Sequence, residues 1–260
     1  MRRGSLWSWL WIMLGIIYFF VPLLASFLFS LKEKLGVLSF VAYENIFKDP
    51  NFAKNFSASV LWALSTIVVG VVIFVPTAYW VRLRLPRVRP IVEFVTLLPF
   101  VVPAIVLVYG LVATFSRPPL PIVNSPLLLI FGYTIMSMPY MYRAVDTGLR
   151  AVDVPVLTEA AQSLGAGWAT ILLRVVFPNI RTAVLSGSFL TFAIVMGEYT
   201  LAQWLAKPAF GPYMNLLGQV KAYEPAACAI ISFALTWAAM GIMQFVGRGA
   251  PAGAQVAGAH

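Results

Sequence analysis

Long stretches without a single charged residue recur along this chain, and they constrain its fold more than any other feature. No Asp, Glu, Lys or Arg falls strictly inside 3–32, 54–82 or 93–117. A helix needs about 20 apolar residues to cross about 30 Å of hydrocarbon. Because these runs are continuously apolar and do not alternate with polar residues, they predict membrane-spanning helices and not the strands of a barrel.

The composition supports a membrane protein. Of the 260 residues, 61% are hydrophobic and only 10% are charged, whereas a soluble domain carries about 25% charged residues. A soluble fold of this size could not cover so much apolar surface, which excludes a soluble enzyme, a soluble nucleic-acid binder and a disulfide-stapled secreted domain. One cysteine, Cys228, and one histidine, His260, allow no internal disulfide and predict no metal site.

The charge-free runs predict an all-α integral membrane protein, a six-transmembrane-helix bundle. We expect a single transmembrane domain over residues 1–247 and a disordered tail over 248–260, which is rich in Gly and Ala. The predicted spans are about 6–29, 57–80, 94–115, 127–142, 183–205 and 226–246.

The basic residues predict how the spans are oriented. Six spans would place eleven of the 18 Lys and Arg residues on the side of the two termini and seven on the other side. The positive-inside rule therefore predicts cytoplasmic termini in a multi-pass membrane protein, and the excess of positive charge indicates contact with the lipid bilayer, with no nucleic acid as partner. The first span is too long for the core of a signal peptide and is interpreted as a retained anchor.

The connection between the fourth and fifth spans, residues 143–181, is unusually long and does not have the composition of a loop. A helical pattern begins at Pro155, breaks at the glycines within 165–167, and resumes over 168–176 until Pro178 stops it. We expect two short helices around a glycine turn, forming a rigid knob on the cytoplasmic face. Such a knob could transmit force to a partner.

The spacing inside this connection resembles the EAA loop of ABC-importer permeases, whose pattern is Glu-Ala-Ala, three residues, Gly, nine residues, then Ile-x-Leu-Pro. Val175 and Phe177 replace the usual Ile and Leu. The chain is therefore similar to the permease subunits of type I, binding-protein-dependent importers, nearest to the spermidine/putrescine, iron and thiamine permeases. The residues that carry the match are Glu159, Ala160, Ala161, Gly165 and Pro178.

The resemblance implies a transport subunit and not an enzyme. These five residues would couple the permease to a cytoplasmic ATPase dimer, which would bind ATP and Mg²⁺, so this chain itself would hold no cofactor. A second permease subunit in a heterodimer and an external substrate-binding protein would complete the complex in the bacterial inner membrane. Transport would proceed by alternating access.

Glu198 is the one carboxylate well inside a predicted span. Because a charge there is costly, it either lines the substrate pathway together with Tyr199 or holds two helices together. A polyamine-like organic cation is the preferred solute, with ferric iron, thiamine or a phosphonate as alternatives. An intramembrane enzyme that uses Glu198, or a passive channel, is the alternative of another class; the enzyme would lack a second catalytic group.

Overall fold

The computed structural model describes residues 6–34 and 37–247. The expectations for the terminal charges, for His260 and for the tail over 248–260 lie outside the described residues. Helix α1, Leu6–Ser30, is almost wholly exposed along its length, with Tyr18 at 75% and Phe19 at 71%. A helix so apolar and so exposed would be unstable in water, but it suits a bilayer.

The described chain is mostly helical. A two-stranded antiparallel sheet follows α1, and a 3₁₀ turn spans Pro86–Val88. The remaining elements are β1 Lys32–Lys34, β2 Val37–Leu38, α2 Val41–Lys48, α3 Pro50–Leu83, α4 Arg89–Val101, α5 Ala104–Phe115, α6 Pro126–Arg150, α7 Val154–Ser163, α8 Trp168–Thr170, a π-helix Ile171–Val176, α9 Phe177–Gly197, α10 Thr200–Trp204, α11 Phe210–Val220 and α12 Glu224–Gly247.

By length and composition, three helical stretches of the described chain could each cross a membrane: Trp7–Ser30, Pro50–Leu83 and Trp168–Gly197. A bent pair of helices, Pro86–Val101 and Ala104–Phe115, adds a fourth candidate. These apolar helices confirm a helical membrane protein, while the count of six spans stays a prediction.

The predicted third span, 94–115, is not one straight helix. It is divided into α4 and α5, which meet at an angle of 104°. Val102 is extended, with ψ of 115°, and Pro103 follows it. The residue before a proline is pushed out of the helical region, and the proline cannot continue the hydrogen-bond ladder, so α4 ends just before Pro103.

The connection after α6 also differs in detail from the prediction. Pro178 does not stop a helix, because Trp168–Gly197 is one continuous helical stretch. Instead, the six residues before Phe177 form a π-helix. A proline inside a helix removes one donor and crowds the carbonyl four residues back, and a wider turn accommodates both effects. The predicted fifth span, 183–205, is interrupted, because α9 ends at Gly197 and Glu198 is extended.

The chain divides into two compact units. The first consists of Met1–Lys54 and Tyr213–Leu235. Within it, the Asn45 amide donates to Glu224 Oε1 at 3.2 Å, and the Tyr213 hydroxyl donates to Asp49 Oδ2 at 2.8 Å. Burial, together with this hydrogen bond, raises the pKa of the Tyr213 hydroxyl.

The second unit consists of Asn55–Pro212 and Thr236–His260. Helices α6 and α9 pack closely in it through small residues. A Cβ added at Gly187 would lie 2.9 Å from Met141 Sδ and 3.0 Å from Ala144 Cβ, and a Cβ at Gly148 would collide with Ala183. Small residues let helix backbones approach closely, which is the usual means of association in membranes.

Candidate functional site

Helix α7 contains the Glu-Ala-Ala sequence and has two distinct faces. Its N-terminus is capped by Asp153, whose side chain accepts a hydrogen bond from the Val156 backbone N–H at 3.2 Å. Thr158 and Ala161 are buried against the rest of the unit, whereas Glu159 and Ala160 are exposed. The helix therefore presents the first two residues of the motif outward and uses the third for packing.

Gly165 ends α7 in the left-handed region, with φ of +80°. Two hydrogen bonds close the turn: the Gly165 N–H donates to the carbonyl of Gln162 at 2.8 Å, and the Ala166 N–H donates to that of Ala161 at 3.0 Å. This is a Schellman cap, which favours glycine because other residues pay for a positive φ. Leu164, just before the cap, is 89% exposed. The turn thus displays a large apolar side chain on the surface.

Three contacts fasten this segment to α3. The Tyr79 hydroxyl and Thr158 Oγ1 are 2.9 Å apart in a buried hydrogen bond. The rings of Trp80 and Trp168 lie 4.7 Å apart, centroid to centroid. The Arg84 guanidinium lies over both rings, 5.4 Å from Trp80 and 5.0 Å from Trp168. Buried hydrogen bonds and cation–π stacking make this attachment stiff, so α7 and the end of α3 should move together.

An ion-pair network joins α3, α4 and α6 near the same end of the unit. Asp146 is buried, and its carboxylate lies 3.2 Å from Arg82, 3.4 Å from Arg89 and 2.7 Å from Arg150. Glu93 completes the network with Arg89 at 2.9 Å and Arg150 at 3.3 Å. Because two carboxylates hold three guanidinium groups, the helices that carry the knob are linked to one another electrostatically.

Glu198 lies between α9 and α10 and is 7% exposed. Its carboxylate accepts hydrogen bonds from the Leu201 N–H at 2.9 and 3.0 Å and from the Ala202 N–H at 3.4 Å. The Tyr133 hydroxyl is a further hydrogen-bond partner. A Cβ at Gly211 would collide with the Glu198 carbonyl, so the backbone at Gly211 packs directly on that of Glu198. This geometry favours the helix-holding alternative, because the carboxylate is already occupied by the start of α10.

The two roles of Glu198 predict different behaviour of two variants. Glu198→Gln keeps one acceptor oxygen for the α10 amides, so we expect it to retain most of the stability and the uptake. Glu198→Leu removes every acceptor and leaves the Leu201 and Ala202 amides unpaired, at a cost of about 1–3 kcal/mol. Thermal unfolding of the purified protein and uptake by the complex measure both effects. A loss of uptake in a stable Glu198→Gln protein would restore the pathway role.

The residues predicted from the sequence do not form one site. Those of the Glu-Ala-Ala motif lie on α7 and its cap, and Pro178 lies in the first turn of α9. Glu198 belongs to the α9–α10 junction with the exposed Tyr199 beside it. Among the described residues, no group of three or more His, Cys, Asp and Glu side chains is arranged to hold a metal ion.

Sequence reasoning missed the partners that hold the knob in place. Asp153 stands two residues before Pro155, which is a recognisable cap signal. Asp146 precedes Arg150 by one helical turn, a spacing that suggests an ion pair on one face. Nothing in the sequence pattern signalled the Tyr79–Thr158 hydrogen bond, because its partners are 79 residues apart.

Comparison with known proteins gives a family match over most of the chain. Residues 75–249 match the family model described as binding-protein-dependent transport system inner membrane component. This segment contains α7, its glycine cap, the attachment to α3 and the Asp146 network.

Two curated relatives are similar at low identity. The spermidine/putrescine transport system permease protein PotB of Escherichia coli is 26% identical over 58% of this chain and 60% of its own length. The probable molybdenum ABC transporter permease protein of Haloferax volcanii is 30% identical over 57% of each chain. The chain thus spans less than two thirds of the length of these curated relatives.

A solved structure has the same fold. A chain from the crystal structure of a bacterial alginate ABC transporter, in complex with an alginate pentasaccharide-bound periplasmic protein, aligns with a TM-score of 0.69. The alignment covers 91% of each chain at 16% sequence identity.

Proposed function

Because the chain belongs to the family of inner membrane components of binding-protein-dependent transport systems, we propose that it is a permease subunit of an ATP-binding-cassette importer. It passes a small solute across the inner membrane by alternating access. The subunit is multi-pass, with both termini in the cytoplasm, and ATP hydrolysis occurs on a separate chain that binds ATP and Mg²⁺.

One observation supports the coupling role: helix α7 has one exposed and one buried face, and its buried face is attached to α3. Its outer surface presents Val156, Glu159, Ala160 and the adjacent Leu164, all exposed. Its inner surface is fastened to α3 by the Tyr79–Thr158 hydrogen bond. An exposed, mixed apolar and acidic surface on a rigid base suits a partner that pushes on it, here a dimer of cytoplasmic ATPases.

The other partners follow from the same proposal. A second permease subunit pairs with this chain in a heterodimer, and an external binding protein delivers the solute. Support comes from the alginate transporter, whose crystal structure includes a solute-bound periplasmic protein. The rival functions fare less well. A passive channel would not need the attachment of α7 to α3. An intramembrane enzyme would have to use Glu198, whose carboxylate already caps α10.

The names of the relatives do not agree on the charge of the solute. PotB is named for spermidine and putrescine, which supports the polyamine-like cation preferred from the sequence. The Haloferax volcanii relative is named for molybdenum. Ferric iron, thiamine and a phosphonate remain alternatives. The Glu198 carboxylate is occupied by backbone amides. It therefore gives little support to a cationic solute.

The coupling role predicts that Gly165→Val uncouples the complex without preventing membrane insertion. A side chain at φ of +80° costs about 1–2 kcal/mol, which distorts the cap that positions Leu164. Glu159→Lys should have a similar effect by reversing the charge of the exposed face. The measurement is ATPase activity of the reconstituted complex, stimulated by the solute-loaded binding protein.

Gly167→Val is the matched control. Gly167 has a negative φ of −77° and no neighbour within 4 Å of an added Cβ, so this variant should keep normal stimulation. Normal stimulation in both Gly165→Val and Glu159→Lys would contradict the coupling role.

A further inference from the structure

A groove of about 430 Å³ opens between α4, α6 and α9 in the second unit. Its size is in the range of pockets that hold small organic molecules. Aromatic rings form part of its wall, with Phe100 and Tyr140 in an edge-to-face contact at 5.4 Å. The hydroxyl-bearing residues Thr147 and Ser186 also line it.

The groove contains one charged residue, Arg143, and no carboxylate among its lining residues. Within the part of the chain that the structure describes, ion pairs engage Arg82, Arg89 and Arg150 but not Arg143. The nearest acid in sequence, Asp146, is on the buried face of α6 and is already shared by those three arginines. Arg143 is therefore a positive charge on a groove wall without a counter-charge from its own described chain.

The chemistry of the Arg143 side chain indicates which group it would bind. The guanidinium is always charged, and it presents several N–H donors in a fixed plane that matches carboxylate and phosphate-like groups. Arg143 is exposed and follows directly on the predicted span 127–142, so its guanidinium is open to water, an anion or a partner. Tyr140 and Thr147 lie three residues before and four residues after Arg143, on the same face of α6, and add hydroxyls beside it.

We propose that this groove binds the anionic oxygen group of an organic solute, a carboxylate or a phosphonate, with Arg143 as its charged ligand. The apolar wall takes the rest of the molecule, while the guanidinium and the neighbouring hydroxyls take the oxygens. This inference rests on the proposed permease function and names its solute class. It disfavours a polyamine-like cation at this groove, because the one charged side chain of its lining is positive.

The test is protection of a reporter thiol in the groove. Leu190→Cys puts the thiol on the exposed apolar wall of the groove, and the full chain in nanodiscs is labelled with a neutral maleimide in the presence of phenylphosphonate, benzyl alcohol or putrescine. The parent chain, whose one cysteine, Cys228, is buried, gives the background. We expect phenylphosphonate to slow labelling and the other two compounds to have no effect.

Substitutions at Arg143 separate a charged ligand from simple crowding. Arg143→Gln should raise the phenylphosphonate concentration needed for protection by about tenfold or more, as expected for loss of a hydrogen bond to a charged group. Arg143→Lys should retain part of the protection. Arg87→Gln removes an exposed charge outside the groove and should leave protection unchanged.

Four results would overturn the proposal. The first two are equal protection by phenylphosphonate in Arg143→Gln and protection by putrescine. The third is slow labelling caused by phosphatidylglycerol without any solute, and the fourth is a thiol that maleimide labels in the assembled complex only after Arg143 is replaced. The third result would assign the anion to a lipid headgroup, and the fourth would assign it to a partner subunit's carboxylate. Copurification of an ATPase with the same preparation reports separately on the permease function, so failure of the anion site and failure of the permease assignment remain distinguishable.

Discussion

Replacing Gly187 with valine is expected to destabilise the chain by about 3 kcal/mol, the upper end of the usual cost of overpacking. The new Cβ would lie 3.2 Å from the Met141 backbone as well as against its sulfur and Ala144. A side chain can rotate away, but a helix backbone cannot, so α6 and α9 would have to separate. Thermal unfolding of the purified chain in detergent measures the loss.

Gly110→Val is the matched control for this prediction. Gly110 also lies within a helix, α5, but an added Cβ there meets nothing within 4 Å. We expect its unfolding midpoint to stay close to that of the parent chain. Equal midpoints for the two valine variants would show that α6 and α9 do not depend on close backbone approach.

Asp146→Asn should have the second-largest effect. Removing this buried charge leaves Arg82, Arg89 and Arg150 close together, with Glu93 as the one acid of the network. Breaking a fully buried ion pair costs about 3 kcal/mol or more, but these arginine side chains are 25–50% exposed, so solvent screens part of the loss and we expect about 2 kcal/mol. The expected result is a lower unfolding midpoint together with weaker stimulation of the ATPase activity of the complex. The reason is that the network joins α3, to which α7 is attached, with α4 and α6.

The exposed pair of Lys48 and Glu44 supplies the comparison. Its side chains are 75% and 61% exposed, so Glu44→Gln should change the free energy of unfolding by no more than about 0.5 kcal/mol. If Asp146→Asn proved as mild as Glu44→Gln, the network would be a solvated cluster and not a structural link.

The helices were predictable from the sequence to the extent that charge marks their ends. The run before Lys32 gave α1 almost residue for residue, because an apolar stretch bounded by charges has few other options in a bilayer. The break between α4 and α5 was not predicted, although Pro103 stands at it. Prolines are common inside membrane helices, where neighbouring groups can satisfy the freed carbonyls, so the sequence alone does not distinguish a kink from a break.

The candidate site was predictable where its residues are close in sequence. The spacing from Glu159 to Gly165 predicts a helix followed by a left-handed cap, and the structure has both. The position of this helix depends on contacts with α3, whose residues are about 80 positions earlier in the sequence. The hydrogen bond between Tyr79 and Thr158 is one of them. Local patterns contain no information on such pairs, since they depend on how α3 and α7 are brought together.

Glu198 shows a different limit. Its cost inside an apolar span pointed to a special role, but the sequence suggested a continuous helix there. Once the helix ends at Gly197, the same carboxylate meets free amides at the start of α10. A helix terminus supplies donors that a helix interior does not, and this favours capping among the two roles that the sequence left open.

Backbone hydrogen exchange of the chain with and without its ATPase tests the central claim most directly, because the proposed function requires contact at one surface. We expect slower exchange across α7 and its cap, residues 154–166, when the ATPase is bound. Peptides from α11, Phe210–Val220, are the internal reference and should exchange at an unchanged rate. Unchanged exchange over 154–166 in a stable complex, or protection confined to α11, would contradict the assignment of this chain as a permease coupled through α7.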